Sequence, residues 1–219
     1  MAVLTWDNLG ERLYETGVRN VVLYPVSAGS TYGTGVAWNG LTSISESPSG
    51  AEATALYADD IKYLNLISAE DLGATIECYT YPDEFAECNG MKEMTPGVQI
   101  GQQNRKMFGL CVRTTLGNDT QSNDYAYKLH LLYGCTAKPS EKSYSSINDS
   151  PEAATLSFEL STTPINVAGY KPTACLTVDS SKFTSTQMKK LEDALYGTAG
   201  TDPRLPLPAE VVSLLTNPN

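Results

Sequence analysis

Histidine is nearly absent from this sequence, and its scarcity limits the chemistry available to the chain. The one histidine among 219 residues is His130. Metal sites built on two or more histidines are therefore excluded, and a nucleophile–base pair must use His130 or a lysine. No Gly-x-Ser-x-Gly nucleophile elbow is present. In the strand-like stretch YKLHLLYG, His130 falls on the face opposite its apolar neighbours, so we expect an exposed cross-strand position for it.

Basic residues are also few relative to acidic ones. The chain has 15 lysines and arginines against 25 aspartates and glutamates, for a formal net charge of -10. Affinity for duplex DNA comes mainly from basic groups that displace counterions, so this charge argues against tight DNA binding. The same charge is compatible with a protein that touches DNA without binding it tightly.

The sequence further lacks a long hydrophobic run and a cysteine pair. No stretch is apolar over the ~20 residues that a membrane span needs, and the opening MAVLTWDNLGERLYETG has no signal-peptide pattern. We therefore expect no membrane segment and a product that begins in the cytoplasm. The five cysteines are scattered without Cys-x-x-Cys spacing and are interpreted as small buried apolar residues.

What the sequence does contain is a series of short β-prone runs separated by turn residues, the pattern of an all-β sandwich or barrel. In LGATIECYTY, alternation places Ala74, Ile76 and Cys78 on one face, as expected for a strand with one side in the core. Further strands are predicted over VRNVVLYPV, GTGVAWNGLTS, RKMFGLCVRT, YAYKLHLLYG, TLSFEL and TACLTV.

One helix has clear boundary signals. In TSTQMKKLEDALYG, Thr184 and Gln187 have capping-box spacing, and Met188, Leu191 and Leu195 form one apolar stripe. This pattern predicts a helix over residues 184–196 that packs against a sheet. Two shorter helices are predicted over PDEFAEC and from Pro208 through Leu215.

The adjacent pair Asp59 and Asp60, in LYADDIKY, raises the question of a catalytic or metal site. In a strand, adjacent side chains point to opposite faces, so the two carboxylates could not share a proton or a metal. Aspartate is favoured in tight turns, and the pair separates two strand-like runs, AEATALY and IKYLNLI. A two-residue turn is the preferred interpretation.

Several stretches closely resemble the major tail tube proteins of long-tailed bacteriophages and prophages. They lie in order between residues 49 and 208 and cover most of the chain. These stretches are SGAEATALYADDIKYLN, GATIECYTYPDEFAECNG, RKMFGLCVRTTLGND, YKLHLLYGCTAKPSEKSY, INDSPEA and LYGTAGTDPRLPLP.

The resemblance implies a structural role without catalysis, cofactor or metal. The expected fold is mainly β: a ring-forming β-sandwich or barrel of the tail-tube type with one flanking α-helix. Hexameric rings would stack into a tube in the virion tail, assembled in the host cytoplasm. Double-stranded DNA would pass through the lumen without tight binding, and the tape-measure, tail terminator and distal tail proteins are the implied partners.

The resemblance also suggests how the chain is organised. Residues 1–219 would form a single tail tube domain with a C-terminal extension over 201–219. Tail tube proteins usually carry a loop or hairpin that reaches the adjacent ring, and residues 42–60 are the candidate because of their serine, proline and glycine content. The candidate inter-ring contacts are Glu46, Glu52, Asp59 and Asp60.

The residues are also compatible with three alternatives. The chain could be the tube subunit of a contractile-tail or injection-type particle, because such tubes share the ring plan. Thirteen tyrosines against four phenylalanines are compatible with a protein interface, but also with a carbohydrate-binding β-sandwich module. A hydrolase would have to use Asp59, Asp60 or His130.

Overall fold

The structure, a computed structural model, describes residues 3–27, 31–144, 146 and 153–216, so most of the INDSPEA stretch lies outside the described residues. Its strands confirm the mainly β class. They are β1 (Leu13–Pro25), β2 (Val36–Trp38), β3 (Leu41–Gly50), β4 (Ala53–Ala58), β5 (Ile61–Ile67), β6 (Glu70–Cys78), β7 (Lys92–Thr95), β8 (Val98–Ile100), β9 (Phe108–Asn118), β10 (Ser122–Ala137), β11 (Leu156–Thr162) and β12 (Cys175–Asp179). The helices are α1 (Asp83–Cys88), α2 (Ser185–Tyr196) and α3 (Pro208–Thr216).

Eight strands form one antiparallel sheet in the order β2-β1-β9-β10-β11-β6-β3, with β12 also paired to β10. The pairs β4–β5 and β7–β8 are separate two-stranded sheets. Because neighbours in the main sheet are antiparallel, β1, β6 and β10 run in one direction and β3, β9 and β11 run in the other. The end of β3 and the end of β6, which is followed by α1 and the β7–β8 hairpin, therefore lie at opposite ends of the β3–β6 pair.

Strand β10 changes partner at a glycine. Residues Lys128–Leu132 pair with β12, whereas Cys135–Ala137 pair with β11. Gly134 lies between these two stretches with a φ of 61°. A Cβ atom at this position would come within 2.2 Å of the carbonyl oxygen of Thr163, so a side chain there would force the backbone apart. The bend lets one strand belong to both halves of the folded sheet.

Two hydrophobic clusters lie on the two faces of the central strands. Leu110 and Leu132 belong to the cluster between the sheet halves, together with Phe85 of α1. Cys111 and Leu131, which point the other way, pack against α2 and α3. The continuous burial of residues 108–112 in β9 follows from this two-sided packing, since both faces of the strand are covered.

The flanking helix α2 follows the prediction from its capping signals. Thr184 is the N-cap, its hydroxyl accepts a hydrogen bond from the Gln187 backbone N–H, and the reciprocal bond completes the capping box. Met188, Leu191 and Leu195 are buried, as the apolar stripe predicts.

Helix α3 packs on the same side of the sheet as α2. Its Val211 and Leu215 are buried in the cluster that also contains the buried residues of α2, and Leu205 before it is buried there as well. Leu205, Val211 and Leu215 of the predicted C-terminal extension thus cover part of the sheet. Residues 217–219 of the predicted extension lie outside the described residues.

The cysteines occupy apolar surroundings, as predicted. All five are free, four are buried, and Cys175 is half-buried. Burial raises the pKa of the Cys88, Cys111 and Cys135 thiols to about 12, so these three side chains remain protonated at neutral pH.

Candidate assembly surface

Strands β3 and β6 of the main sheet continue into the β4–β5 hairpin, which we call the arm (residues 53–67). The antiparallel register runs from Leu41 paired with Cys78 to Gly50 paired with Glu70, and resumes at Ala53 paired with Ile67. Between them, the Ala51 N–H donates to the Ala69 carbonyl over 3.2 Å. Ala51 has a φ of 54°, so the backbone is kinked where the arm leaves the sheet.

The tip of the arm is the Asp59-Asp60 pair. Both residues have positive φ, 51° and 62°, and they connect β4 directly to β5. Two consecutive positive φ values are those of a type I′ turn, the common two-residue hairpin connection, and aspartate tolerates this conformation. The predicted turn is confirmed, and both side chains are exposed at the tip.

The arm exposes an unusual amount of apolar surface. The exposed fraction is 72% for Tyr57, 65% for Ile61 and 68% for Tyr63. Leu56, Leu64, Leu66 and Ile67 are also exposed. An isolated two-stranded hairpin is only marginally stable in water, and contiguous exposed apolar surface of this kind marks an interaction site.

The four residues proposed as inter-ring contacts lie on the arm or on the strand and connection that lead into it. Asp59 and Asp60 lie together at the tip, Glu52 lies at the kink, and Glu46 lies within β3 in the main sheet. Residues 42–50 of the candidate loop are therefore strand residues paired with β6, and the hairpin extends beyond residue 60 to Ile67. The serines and Pro48 are compatible with a strand here because β3 is an edge strand of the main sheet. Proline lacks a backbone N–H and is tolerated at an edge, where no further strand needs that donor.

A polar cluster that sequence reasoning missed surrounds His130. Its Nε2 lies 3.0 Å from Glu15 Oε1 and 3.0 Å from Thr114 Oγ1, while its Nδ1 lies 4.0 Å from Glu46 Oε1. Lys128 Nζ donates to Glu15 Oε2 over 2.6 Å. The His130 side chain is only 21% exposed, so the expected exposed position is wrong. Strand alternation signals that Lys128 and His130 share a face, but nothing local to them indicates Glu15.

Glu15 is held in its charged form by this cluster. Burial alone would raise its pKa, but hydrogen bonds from Lys128, Thr114 and His130 outweigh burial and lower the pKa from 4.5 to about 2. A carboxylate whose pKa is lower in the folded state contributes stability above its unfolded pKa, and this contribution is lost as the pH falls through the folded pKa. The relevant window is therefore between pH 4.5 and about pH 2.

We expect Glu15→Gln to lower the free energy of unfolding by about 1–2 kcal/mol at neutral pH, after allowance for solvent screening of a side chain that is one-third exposed. The difference from the native chain should disappear between pH 4.5 and about pH 2. Urea unfolding across this pH range, at concentrations that keep the chain monomeric, measures it. Exposed Glu141→Gln is the control, and an equal loss in both variants would contradict a specific role for Glu15.

The described residues offer little for other kinds of site. Across these ranges, no three His, Cys, Asp or Glu side chains lie together in a way that could hold a metal ion. Within the same part of the chain, none of the helices is long and apolar enough to cross a lipid bilayer.

Comparisons with known proteins concern families, curated sequences and solved structures. No protein-family model matches the sequence, and no curated protein matches it. A solved structure that matches is the PVC sheath-tube complex of an extracellular contractile injection system in its extended state. The sequences are 13% identical, the match covers 73% of this chain and 88% of that chain, and the TM-score is 0.32. At this identity and TM-score, the likeness carries no functional argument.

Proposed function

We propose that this chain is a structural subunit of a tail tube in which hexameric rings stack to form the conduit for a phage genome. The exposed apolar arm is the observation that carries the proposal. Burying one large apolar side chain contributes about 1.5–3 kcal/mol. Seven such side chains are exposed on the arm, so covering them with another copy supplies a large driving force for assembly.

The two ends of the subunit differ, which suits head-to-tail stacking. The arm leaves the sheet where β3 ends and β6 begins, whereas α1 and the β7–β8 hairpin follow the other end of β6. Contacts between unlike surfaces form rings when the rotation closes and helical arrays when it does not. A subunit whose two ends differ can therefore repeat head to tail along an axis. Such contacts lack the two-fold symmetry that would close the assembly and stop its growth.

The edge strands support ring formation. The main sheet ends at β3 on one side and at the three-residue β2 on the other. A long edge strand presents unpaired backbone groups and invites uncontrolled pairing unless it is covered. Ring closure through neighbouring copies would cover these edges.

The acidic charge supports passage of DNA rather than capture. A formal net charge of -10 repels phosphates and disfavours counterion release at the protein surface. Within this proposal the protein resides in the virion tail, is assembled in the host cytoplasm and meets the tape-measure, tail terminator and distal tail proteins.

The role we propose is structural and non-catalytic. A tube from a contractile or injection-type particle would share the same subunit surfaces. The presence of a sheath gene beside this one, and binding of its product to the assembled tube, would distinguish that particle from the non-contractile tail that we propose.

Negative-stain electron microscopy of the purified protein, before and after concentration, tests the proposal alongside light scattering for mass. Hexameric rings or hollow tubes are expected. A chain that stays monomeric at high concentration, even with its tail partners supplied, would overturn the proposed function.

A further inference from the structure

His130 lies between strands from opposite sides of the main sheet. Strand β3 is one edge of the sheet and β1 lies next to the other edge, with four strands between them in the sheet order. Yet Nε2 of His130 lies 3.0 Å from Glu15 Oε1 of β1, and Nδ1 lies 4.0 Å from Glu46 Oε1 of β3. The sheet is therefore curled so far that one imidazole has a carboxylate from each side beside it.

The neighbours of Nε2 assign one proton to that atom. Glu15 is ionised, because its pKa is lowered to about 2, and a carboxylate only accepts hydrogen bonds. The Thr114 hydroxyl donates its hydrogen to Glu15 Oε1 over 2.5 Å, so its oxygen acts as an acceptor towards the imidazole. Since both groups 3.0 Å from Nε2 are acceptors, the hydrogen-bond network places a proton on Nε2 in the neutral ring as well as in the charged one.

The second proton of the imidazole is therefore gained and lost at Nδ1. In the neutral ring, Nδ1 is an acceptor that faces the Glu46 carboxylate, and the Thr177 hydroxyl lies 3.5 Å away as a donor. In the charged ring, Nδ1 carries a hydrogen and shares a positive charge beside that carboxylate, so the contact becomes attractive. Histidine is the side chain whose ordinary titration range lies around neutral pH. One proton thus changes the contact between β10 and β3 from unfavourable to favourable.

Four strands supply the titratable side chains around this ring. These are Glu15 of β1, Lys128 of β10, Glu46 of β3 and Cys175 of β12. Burial, followed by the charges of Glu46 and Glu70, raises the pKa of the Cys175 thiol, which therefore stays neutral near pH 7. Two carboxylates and one ammonium group leave one negative charge uncompensated when the imidazole is neutral, and a charged imidazole balances it.

We propose that His130 forms a pH-sensitive bridge between Glu15 and Glu46, which holds β3 against β1 and β10 when the imidazole is charged and releases β3 when it is neutral. Glu46 lies four residues before Gly50, the last residue of β3, so the bridge acts on the strand that leads into the arm. Because β3 is an edge strand that pairs with β6, its local opening is sensitive to a side-chain contact on its face. The bridge lies within one chain and is independent of the proposed function.

Nitrogen-15 NMR of the imidazole in the dilute monomer tests the bridge, and the single histidine makes the assignment unambiguous. The neutral ring should carry its proton on Nε2. At a fixed pH within the titration, Glu46→Gln should lower the ratio of charged to neutral imidazole by about 1.5-fold to fivefold, the range for a partly exposed ion pair. Glu52→Gln removes the same charge from the exposed connection between β3 and β4, and should leave the ratio unchanged. A neutral ring protonated on Nδ1, or equal changes in both variants, would overturn the inference.

Hydrogen exchange of the monomer measures the release of β3 itself. After correction for intrinsic exchange rates, the amides of residues 44–50 and 70–76 should open more often at about pH 8 than at about pH 5.5, by about 1.5-fold to fivefold. In Glu46→Gln this dependence on pH should disappear, while the central strands β9 and β10 report global opening. Equal opening of β3 in the native chain at the two pH values would overturn the inference.

Discussion

Replacing Tyr57, Ile61 and Tyr63 with serine is expected to abolish ring and tube formation while leaving the monomer folded. The three side chains are 72%, 65% and 68% exposed in the single chain, so their removal costs the monomer little. At an interface, each contributes about 1.5 kcal/mol or more through burial. Together they should raise the critical concentration for assembly by at least about 1000-fold. Sedimentation and negative-stain microscopy measure assembly, and circular dichroism reports the monomer fold.

The matched control uses the other two-stranded hairpin. Met94, Val98 and Ile100 of β7–β8 are 69%, 50% and 38% exposed, and we expect their replacement by serine to weaken assembly less than the arm variant does, because they expose less apolar surface. Tubes of normal length from the arm variant would show that the interface lies elsewhere. Equal loss from both variants would show that exposed apolar surface in general, rather than the arm, drives association.

Phe85→Ala is expected to have the largest effect on stability, a loss of about 3–5 kcal/mol in the free energy of unfolding. Phe85 is completely buried, and its ring centroid lies 4.5 Å from that of Trp38 and 5.0 Å from that of Phe158. Helix α1 has only six residues, too few to be stable in isolation. Phe85 therefore anchors the helix as well as filling the core.

Urea unfolding of the dilute monomer measures this loss. Tyr79→Ala removes an aromatic side chain that is 55% exposed and only six residues away, so it should cost less than about 1 kcal/mol. A loss below about 1 kcal/mol for Phe85→Ala would mean that α1 detaches without disturbing the core between the two halves of the sheet.

Features governed by near neighbours could be predicted from the sequence. The capping box of α2 depends on Thr184 and Gln187, three positions apart, and the Asp59-Asp60 turn depends on the conformations open to two adjacent residues. The inward face of β6, with Ala74, Ile76 and Cys78 buried, followed from alternation alone. These signals are local because backbone geometry relates such residues directly.

The extent of the arm could not be predicted in the same way. The serines and Pro48 in residues 42–50 indicated a loop, yet this stretch pairs with β6 along its whole length. Pairing with a neighbouring strand determines the conformation of such a stretch, because the backbone hydrogen bonds to β6 outweigh the weak strand propensity of the individual residues. The second strand of the hairpin, by contrast, coincides with the strand-like run IKYLNLI, which continues to Ile67 although the candidate loop ended at residue 60.

By itself, the sequence determined the mainly β class, the capped helix, the tight acidic turn, the burial of most cysteines and the negative charge. The tertiary structure decided which residues from distant parts of the chain meet. It placed Glu15 against His130, gathered α2 and α3 on one face, and left the arm uncovered. Propensity and periodicity act over a few residues, whereas sheet register and packing join residues more than a hundred positions apart.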